Sequence, residues 1–217
     1  MFHPKASGQK LLFAGDSVTD CGRGQDPAGL GQGYVKEVAI ALDSLNVSVI
    51  NAGVSGDRID DLQSRWCRDV VERRPDVVTV LIGINDTWRS FDQGDKMPPQ
   101  LFEEKYRFLL DTHCPALSRL ILMDPFVVPV TEEQKSWRAD LAEKHKIIRL
   151  LAQEFNAVHI QTHDELNRLS TRLSRGALAS DGVHPTRIGH RILAELWLDA
   201  YLGARQMQHP EALLESP

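Results

Sequence analysis

Short apolar segments alternate with longer amphipathic segments along most of the chain, and this alternation limits the possible folds more than any other feature. The apolar segments are rich in Val, Ile and Leu, and we predict strands at Lys10–Ala14, Val47–Asn51, Val77–Ile82, Leu120–Met123 and Val158–Gln161. We predict helices at about Tyr34–Leu45, Asp57–Arg73, Gln100–Cys114, Glu132–Phe155, Asp164–Arg175 and Pro185–Tyr201. Strands that alternate with helices usually form a parallel sheet covered on both faces. The sequence therefore predicts an α/β fold.

The length of the chain and the absence of an internal linker predict a single domain over residues 1–217. A chain of 217 residues can bury a substantial core, and no internal repeat, low-complexity tract or linker divides it. The last segment, about residues 205–217, is polar and contains two prolines, so we expect a loosely held tail.

Charge and hydropathy exclude several classes of partner. The chain has 25 Lys and Arg against 30 Asp and Glu, whereas nucleic-acid-binding proteins usually carry a basic surface. The first residues resemble no signal peptide, and no segment approaches 18 consecutive apolar residues. We therefore expect a cytoplasmic protein that binds neither nucleic acid nor membrane. Cys21, Cys67 and Cys114 form no CxxC pair, so they suggest neither a disulfide framework nor a zinc site.

Polar motifs follow the first three predicted strands: Gly15–Ser17, Asn51–Asp57 and Gly83–Asp86. The carboxyl ends of parallel strands meet at one edge of the sheet, where ligands bind in such folds. A fourth motif, Asp181–Pro185, precedes the last predicted helix. Pro185 suits the first position of that helix and favours an extended conformation at His184. We expect all four motifs to lie at one edge.

The residue types in these motifs suit nucleophilic attack on an ester. A serine hydroxyl needs a base, and His184 can take the proton of Ser17 and return it to the leaving alcohol. Asp181 can accept a hydrogen bond from the other ring nitrogen and stabilise the imidazolium. The oxyanion needs donors already in position, and the candidates are the backbone N–H groups of Ser17 and Gly53 and the side-chain amide of Asn85. A residue without Cβ, such as Gly53, also allows a close approach of substrate.

Each of these residues also has an ordinary structural interpretation. Ser17 suits a helix cap, Gly53 a turn, Asn85 an Asx-turn, and Asp181 with His184 before proline the capped start of a helix. Ser55 is a rival nucleophile within the second motif, and His159 and His163 are interpreted as strand-end histidines instead of metal ligands. The motifs follow one another along the chain and are all predicted at one edge of the sheet. Four unrelated structural roles there are less probable than one shared site.

Four further residues are candidates for the substrate pocket because they lie in or beside the motifs: Asp16, Tyr34, Trp88 and Arg89. Asp16 is also interpreted as a support for its loop, and packing remains an alternative for the other three. The predicted loops Asp20–Gly33 and Arg89–Pro99 carry many polar residues, which favours a polar substrate.

The four motifs resemble those of the SGNH hydrolases, also called GDSL-type esterases. The family is named for a serine, a glycine, an asparagine and a histidine, which match Ser17, Gly53, Asn85 and His184. The resemblance implies a three-layer α/β/α sandwich of the flavodoxin-like type around a five-stranded parallel sheet. It implies that Ser17, His184 and Asp181 form a catalytic triad, that Ser17, Gly53 and Asn85 form the oxyanion hole, and that no metal or organic cofactor takes part.

Three longer segments resemble one branch of this superfamily, the intracellular bacterial acetyl-xylan esterases: Gly15–Arg23, Gly31–Val35 and Gly83–Arg89. Those enzymes remove acetyl groups from xylo-oligosaccharides. Ser180 precedes the predicted acid where a tryptophan is expected in that branch, so the substrate is left open. Similar proteins often self-associate, which implies a homo-oligomer.

The function predicted is that of a serine esterase that forms an acyl-enzyme and removes small acyl groups, above all acetyl, from carbohydrates. The same superfamily contains lysophospholipases, thioesterases and arylesterases, which remain alternatives. A metal-dependent phosphoesterase would need clustered His and carboxylate ligands. A non-catalytic binding protein on the same fold is the last alternative, since a fold does not fix a function.

Overall fold

The computed structural model describes residues 8–112 and 119–203. Cys114, the end of the helix predicted over Gln100–Cys114 and the tail predicted at about residues 205–217 lie outside the described residues. The strands are β1 Gln9–Gly15, β2 Val47–Gly53, β3 Val77–Leu81, β4 Arg119–Met123 and β5 Val158–Ile160. The helices are α1 Ser17–Asp20, α2 Tyr34–Ala41, α3 Ile59–Asp69, α4 Ile84–Asp92, α5 Pro99–Thr112, α6 Glu132–Ser136, α7 Arg138–Glu154, α8 Thr162–Leu169, α9 Arg175–Leu178 and α10 Arg187–Leu202.

The five strands form one parallel sheet in the order β2-β1-β3-β4-β5. Gly15 at the end of β1 lies opposite Gly53 of β2 and Leu81 of β3, so these three strands end at the same level. The segments that follow them therefore begin side by side at one edge, as the sequence predicts.

Helices cover both faces of the sheet, which confirms the predicted three-layer α/β/α architecture. Successive residues of a strand point to opposite faces, so Leu11 and Phe13 pack in one buried cluster, with α2 and α10. Leu12 and Ala14 pack in the other, with α3, α5 and α7. Trp197 anchors α10, since its ring lies 5.0 Å from that of Phe13 and its indole N–H donates to a sheet threonine, Thr79. None of the described helices is long and apolar enough to cross a membrane.

The helix boundaries differ from the prediction in several places. The helix predicted over Glu132–Phe155 is two helices that meet at Trp137. The helices α1 and α4 are not predicted, because they follow directly from the polar motifs and carry little apolar pattern. Pro185 lies outside α10: Thr186 is the N-cap and accepts from the Gly189 N–H, while Pro185 pairs with Ala179 in an antiparallel bridge.

That bridge closes a loop, residues 179–186, which contains Asp181 and His184. The Leu178 carbonyl accepts from the Thr186 N–H at 2.9 Å, so the two ends of the loop are tied together. The α10 helix packs so closely on the same carbonyl that a Cβ at Gly189 would clash with Leu178 O. A glycine at this position thus allows the loop to sit directly on the start of α10.

We predict opposite effects of the same substitution at two helical glycines. Alanine is favoured over glycine in a helix by about 1 kcal/mol, and Gly176 in α9 has open space around its Cα. Gly176→Ala should therefore leave the free energy of unfolding unchanged or raise it. Gly189→Ala should lower it by about 1–3 kcal/mol, the usual cost of overpacking. Chemical denaturation of both variants tests this prediction, and equal effects would contradict the described packing.

Candidate active site

Ser17 is the first residue of α1, and only Asp16 separates it from the end of β1, the strand between β2 and β3. The carboxylate of Asp16 caps this short helix by accepting the Val18 N–H at 3.0 Å. The first N–H groups of a helix have no partner within it, so the Ser17 N–H is available beside its own hydroxyl. The strand end and the cap together set the position of Ser17.

A chain of hydrogen bonds joins Ser17, His184 and Asp181. The Ser17 Oγ lies 3.0 Å from His184 Nε2, and His184 Nδ1 lies 2.6 Å from Asp181 Oδ2. The second carboxylate oxygen accepts the N–H groups of Val183 and His184, at 2.9 and 2.7 Å. Burial alone would raise the pKa of Asp181, but the hydrogen bonds from His184 and Val183 outweigh it and lower that pKa. An ionised Asp181 favours the tautomer with a proton on Nδ1, which leaves Nε2 free to accept from Ser17.

Ser17 and His184 border a cavity of about 450 Å³ at the carboxyl edge of the sheet, and Asp181 lies behind His184, outside the lining. Its lining residues are Ser17, Cys21, Ser55, Gly56, Asn85, Trp88, Arg89, His184, Pro185 and His190. The volume lies within the range of small-molecule sites, roughly 300–1,000 Å³. The predicted residues Ser17, Asn85 and His184 therefore share one cavity, although they are far apart in the sequence.

Asn85 lies in the first turn of α4 and is buried. Its Nδ2 donates one hydrogen bond to the Asp57 carbonyl at 2.9 Å. A side-chain amide nitrogen carries two N–H groups, so one remains for a ligand in the cavity. This contact also ties α4 to the turn that follows β2.

The structure corrects the expectation for Gly53. Its N–H donates to Asn51 Oδ1 at 2.9 Å, and the residue does not line the cavity. Gly53 lacks a Cβ for another reason: a Cβ there would clash with the backbone at Asp20. Gly56, three residues later, does line the cavity and has a φ of 88°. No acceptor for the Gly56 N–H lies among the described residues.

Two of the four predicted pocket residues line the cavity and two do not. The Trp88 ring lies 6.3 Å from the ring of His184, and Arg89 lies beside it in α4. Tyr34 is part of the core: its hydroxyl lies 3.1 Å from Thr19 Oγ1, within hydrogen-bond distance, and its side chain is fully buried. Asp16 is also buried and serves as the cap of α1.

Cys21 and His190 line the cavity, and sequence reasoning did not identify them as pocket residues. Cys21 Sγ lies 3.3 Å from His190 Nε2, and the Tyr34 N–H donates to the other ring nitrogen. Nε2 therefore carries the proton and donates to sulfur. Burial lowers the pKa of His190 to about 4 and raises the pKa of Cys21. The pair is neutral at neutral pH, so Cys21 lacks the thiolate character of a nucleophile.

The other histidines singled out in the sequence have protein partners at the β4 and β5 end of the sheet. His159 Nε2 lies 2.8 Å from Asp124 Oδ1, and His163 Nδ1 accepts the Val127 N–H. Within residues 8–112 and 119–203, no three His, Cys, Asp or Glu side chains are grouped so that they could hold a metal ion.

Comparison with known proteins gives consistent matches. Residues 13–192 match the sequence model of the GDSL-like lipase/acylhydrolase family. An acetylxylan esterase from Geobacillus stearothermophilus is 37% identical over 207 residues, which cover 88% of this chain and 93% of that enzyme. A crystal structure of an acetylxylan esterase from this organism has a TM-score of 0.82 and 35% identity, over 91% of this chain and 96% of the other.

Two further solved structures are similar over nearly their whole length. A mutant of an acetyl-xylooligosaccharide esterase from the same organism has a TM-score of 0.84 and 34% identity, over 95% of this chain and 100% of the other. An alpha/beta hydrolase enzyme from the metagenome of Lake Arreo, Spain, has a TM-score of 0.84 and 28% identity, over 93% and 98%.

The cap of α1 predicts a pH dependence of stability. Burial raises the pKa of Asp16 to about 7, although the Val18 N–H opposes that shift. Between the ordinary value of 3.8 and about 7, the folded state binds the proton more tightly than the unfolded state. The contribution of Asp16 to the free energy of unfolding therefore falls as pH rises through this window. Asn keeps the acceptor for Val18 and does not titrate.

We thus expect Asp16→Asn to become more stable relative to the unsubstituted protein as pH rises from about 5 to about 8. Urea denaturation of both proteins at the two pH values measures this difference. A difference that is the same at both values would show that Asp16 does not titrate in this range.

Proposed function

The chain belongs to the GDSL-like lipase/acylhydrolase family, and we propose that it hydrolyses acetyl esters of xylo-oligosaccharides with Ser17 as its nucleophile. Family membership and the similarity to acetylxylan esterases make the chain a carboxylic ester hydrolase. The observation that supports the assignment of residues is the unbroken hydrogen-bond chain from Ser17 Oγ through His184 to Asp181, at the border of the cavity.

In the acylation step, Ser17 Oγ attacks the carbonyl carbon of the acetyl ester while His184 Nε2 takes its proton. The imidazolium that forms is stabilised by the carboxylate of Asp181. The carbonyl π electrons move to oxygen, and the tetrahedral intermediate collapses when His184 gives the proton to the leaving alcohol. Deacylation repeats the sequence with water as the attacking group, and it releases acetate and free Ser17.

The oxyanion of both steps is stabilised by three donors in this proposal: the N–H groups of Ser17 and Gly56 and the side-chain amide of Asn85. Ser17 and Gly56 contribute backbone groups that have no acceptor among the described residues, and Asn85 has a second N–H to give. Donors held in place before the reaction need no reorganisation as charge develops. Ser17 thus acts both as nucleophile and as donor.

The substrate class is argued from the alcohol side of the ester. The leaving alcohol must lie beside His184, which protonates it, and the half-buried Trp88 ring is next to that histidine, at 6.3 Å. An aromatic ring is a large, rigid contact surface with an apolar face, and such a face can cover the C–H face of a sugar. The similar enzymes act, by their descriptions, on acetylxylan and acetyl-xylooligosaccharides.

Four properties of the whole protein complete the proposal. Residues 1–217 form one domain, which works in the cytoplasm, self-associates as a homo-oligomer, and needs no metal or organic cofactor. The two largest buried clusters pack on opposite faces of the same sheet, which supports a single domain over the described residues.

Removal of the nucleophile gives the most direct functional prediction. Ser17→Ala should lower kcat on p-nitrophenyl acetate on the order of 10⁶-fold, as in other serine hydrolases. Ser64→Ala, at an exposed serine of α3, is the matched control and should leave kcat unchanged. A Ser17→Ala enzyme with kcat close to that of the control would remove Ser17 from the mechanism.

The substrate proposal is tested separately by a panel of esters. Acetate release should have its highest kcat/KM on acetylated xylo-oligosaccharides, compared with acetylated glucose, acetylated chitin oligomers and p-nitrophenyl esters. Trp88→Ala should raise KM for the oligosaccharide more than for p-nitrophenyl acetate. Peak activity on p-nitrophenyl decanoate or a longer ester would indicate a lipid or thioester substrate instead.

A further inference from the structure

Behind the cavity, a buried arginine on α3 joins the ends of two strands. Arg65 is only 8% exposed. Its Nη2 donates to the Gly15 carbonyl at 3.0 Å, and its Nη1 donates to the Ala52 carbonyl at 2.7 Å. The same guanidinium binds two carboxylates, Asp57 through Nε at 2.6 Å and Asp69 through Nη1 at 3.1 Å. One side chain therefore fixes the end of β1, the end of β2 and the turn after β2.

Two of the four partners of Arg65, Gly15 and Asp57, lie close to donors of the proposed oxyanion hole. Gly15 is separated from Ser17 only by Asp16, and Asp57 directly follows Gly56. The Asp57 carbonyl is also the acceptor for Asn85 Nδ2, at 2.9 Å. The three donors come from three separate segments of the chain. Arg65 makes hydrogen bonds close to two of them, and it is linked to the third through Asp57.

We infer that Arg65 is a positioning residue of the oxyanion hole: its guanidinium sets the relative positions of the Ser17 and Gly56 N–H groups and the Asn85 amide. This inference rests on the proposed function, because it needs these three donors to act on one oxygen. Arg65 lies outside the cavity lining, so it acts through its partners and not on the substrate.

The chemistry of arginine suits this role better than that of lysine. A guanidinium is planar and always charged, and it presents several donors in a fixed geometry, whereas a lysine ammonium is a single nitrogen on a flexible stem. Four acceptors around Arg65 use that geometry. A buried ion pair is often replaceable by apolar residues without loss of stability. Stability alone therefore does not explain a charge at this position, whereas the fixed placement of its four acceptors does.

The size of the expected effect follows from the demands of an oxyanion hole. Its donors must lie within hydrogen-bond distance of the oxygen as charge develops. A displacement of about 1 Å in a catalytic arrangement costs about 10²-fold in rate. Lysine at position 65 keeps the positive charge opposite Asp57 but cannot reach Gly15 O and Ala52 O together with that carboxylate.

The test compares two Arg→Lys variants on the same helix. Arg65→Lys should lower kcat on p-nitrophenyl acetate by about 10²-fold with KM unchanged. Arg68→Lys is the matched control: Arg68 is exposed, its hydrogen bonds among the described residues go to the carboxylate of Asp69, and lysine keeps the positive charge beside that carboxylate, so kcat should be unchanged. Melting temperatures of both variants show that the proteins compared are folded. Equal kcat values in the two variants would overturn the inference.

A double-mutant cycle separates positioning from general structural damage. If Arg65 acts through the oxyanion hole, the fold-loss caused by Arg65→Lys should be smaller in an Asn85→Ala background, where one donor is already absent. The affinity for a trifluoromethyl ketone, whose adduct with Ser17 carries an oxyanion, should fall in parallel with kcat. An equal fold-loss in both backgrounds, with unchanged affinity for the ketone, would show a purely structural role.

A second variant keeps the test decisive if Arg65→Lys does not fold. Asp57→Ala removes the side-chain acceptor that faces Arg65 Nε and keeps the backbone carbonyl that accepts from Asn85. It should reduce kcat with the same dependence on Asn85, and an Asp57→Ala enzyme with full kcat would overturn the inference. Because p-nitrophenyl acetate carries no sugar, an error in the carbohydrate proposal would leave these outcomes unaffected. If Ser17 were not the nucleophile, the Ser17→Ala enzyme would keep its kcat, and that variant alone would reveal the error.

Discussion

The level ends of three adjacent parallel strands are the constraint on which the rest of the site depends. Gly15 lies opposite Gly53 and Leu81, so the segments after β1, β2 and β3 leave the sheet together. Ser17 follows the middle strand of the three, between the Gly56 turn and Asn85. Strand ends also expose backbone carbonyls, and the buried Arg65 takes two of them. The sheet thus explains both the convergence of the polar residues and the need for a cation behind them.

The base and the acid come from outside the sheet, in the loop of residues 179–186. That loop is closed by the bridge between Ala179 and Pro185 and by the contact of α10 with Leu178. The hydrogen bond between Ser17 and His184 therefore joins the end of the sheet to the loop of residues 179–186. Small shifts in either part change the same distance, so packing at Gly189, which does not itself line the cavity, bears on the site.

Much of the fold and about half of the site could be predicted from the sequence, for identifiable reasons. Apolar runs marked the strands, polar motifs after the strands marked Ser17 and Asn85, and the motif before the last helix marked His184. Gly53 and Gly56 lie in one motif, and two features of the structure distinguish them: the Gly53 N–H donates to Asn51 Oδ1, and Gly56 lines the cavity. Tyr34 is adjacent to a motif, but its side chain points into the core. Arg65 reads as one charged residue in an amphipathic helix, since no local pattern reveals acceptors on two strands.

The central claim is that Ser17, and not the neighbouring Ser55, forms the covalent intermediate. Ser55 lines the same cavity, but its hydroxyl donates to Asp20 and has no histidine partner among the described residues. Treatment with a fluorophosphonate, followed by digestion and mass spectrometry of the peptides, measures the labelled residue directly. The mechanism described above predicts a single label on Ser17 that disappears in Ser17→Ala. A label on Ser55, or one that persists in Ser17→Ala, would contradict it.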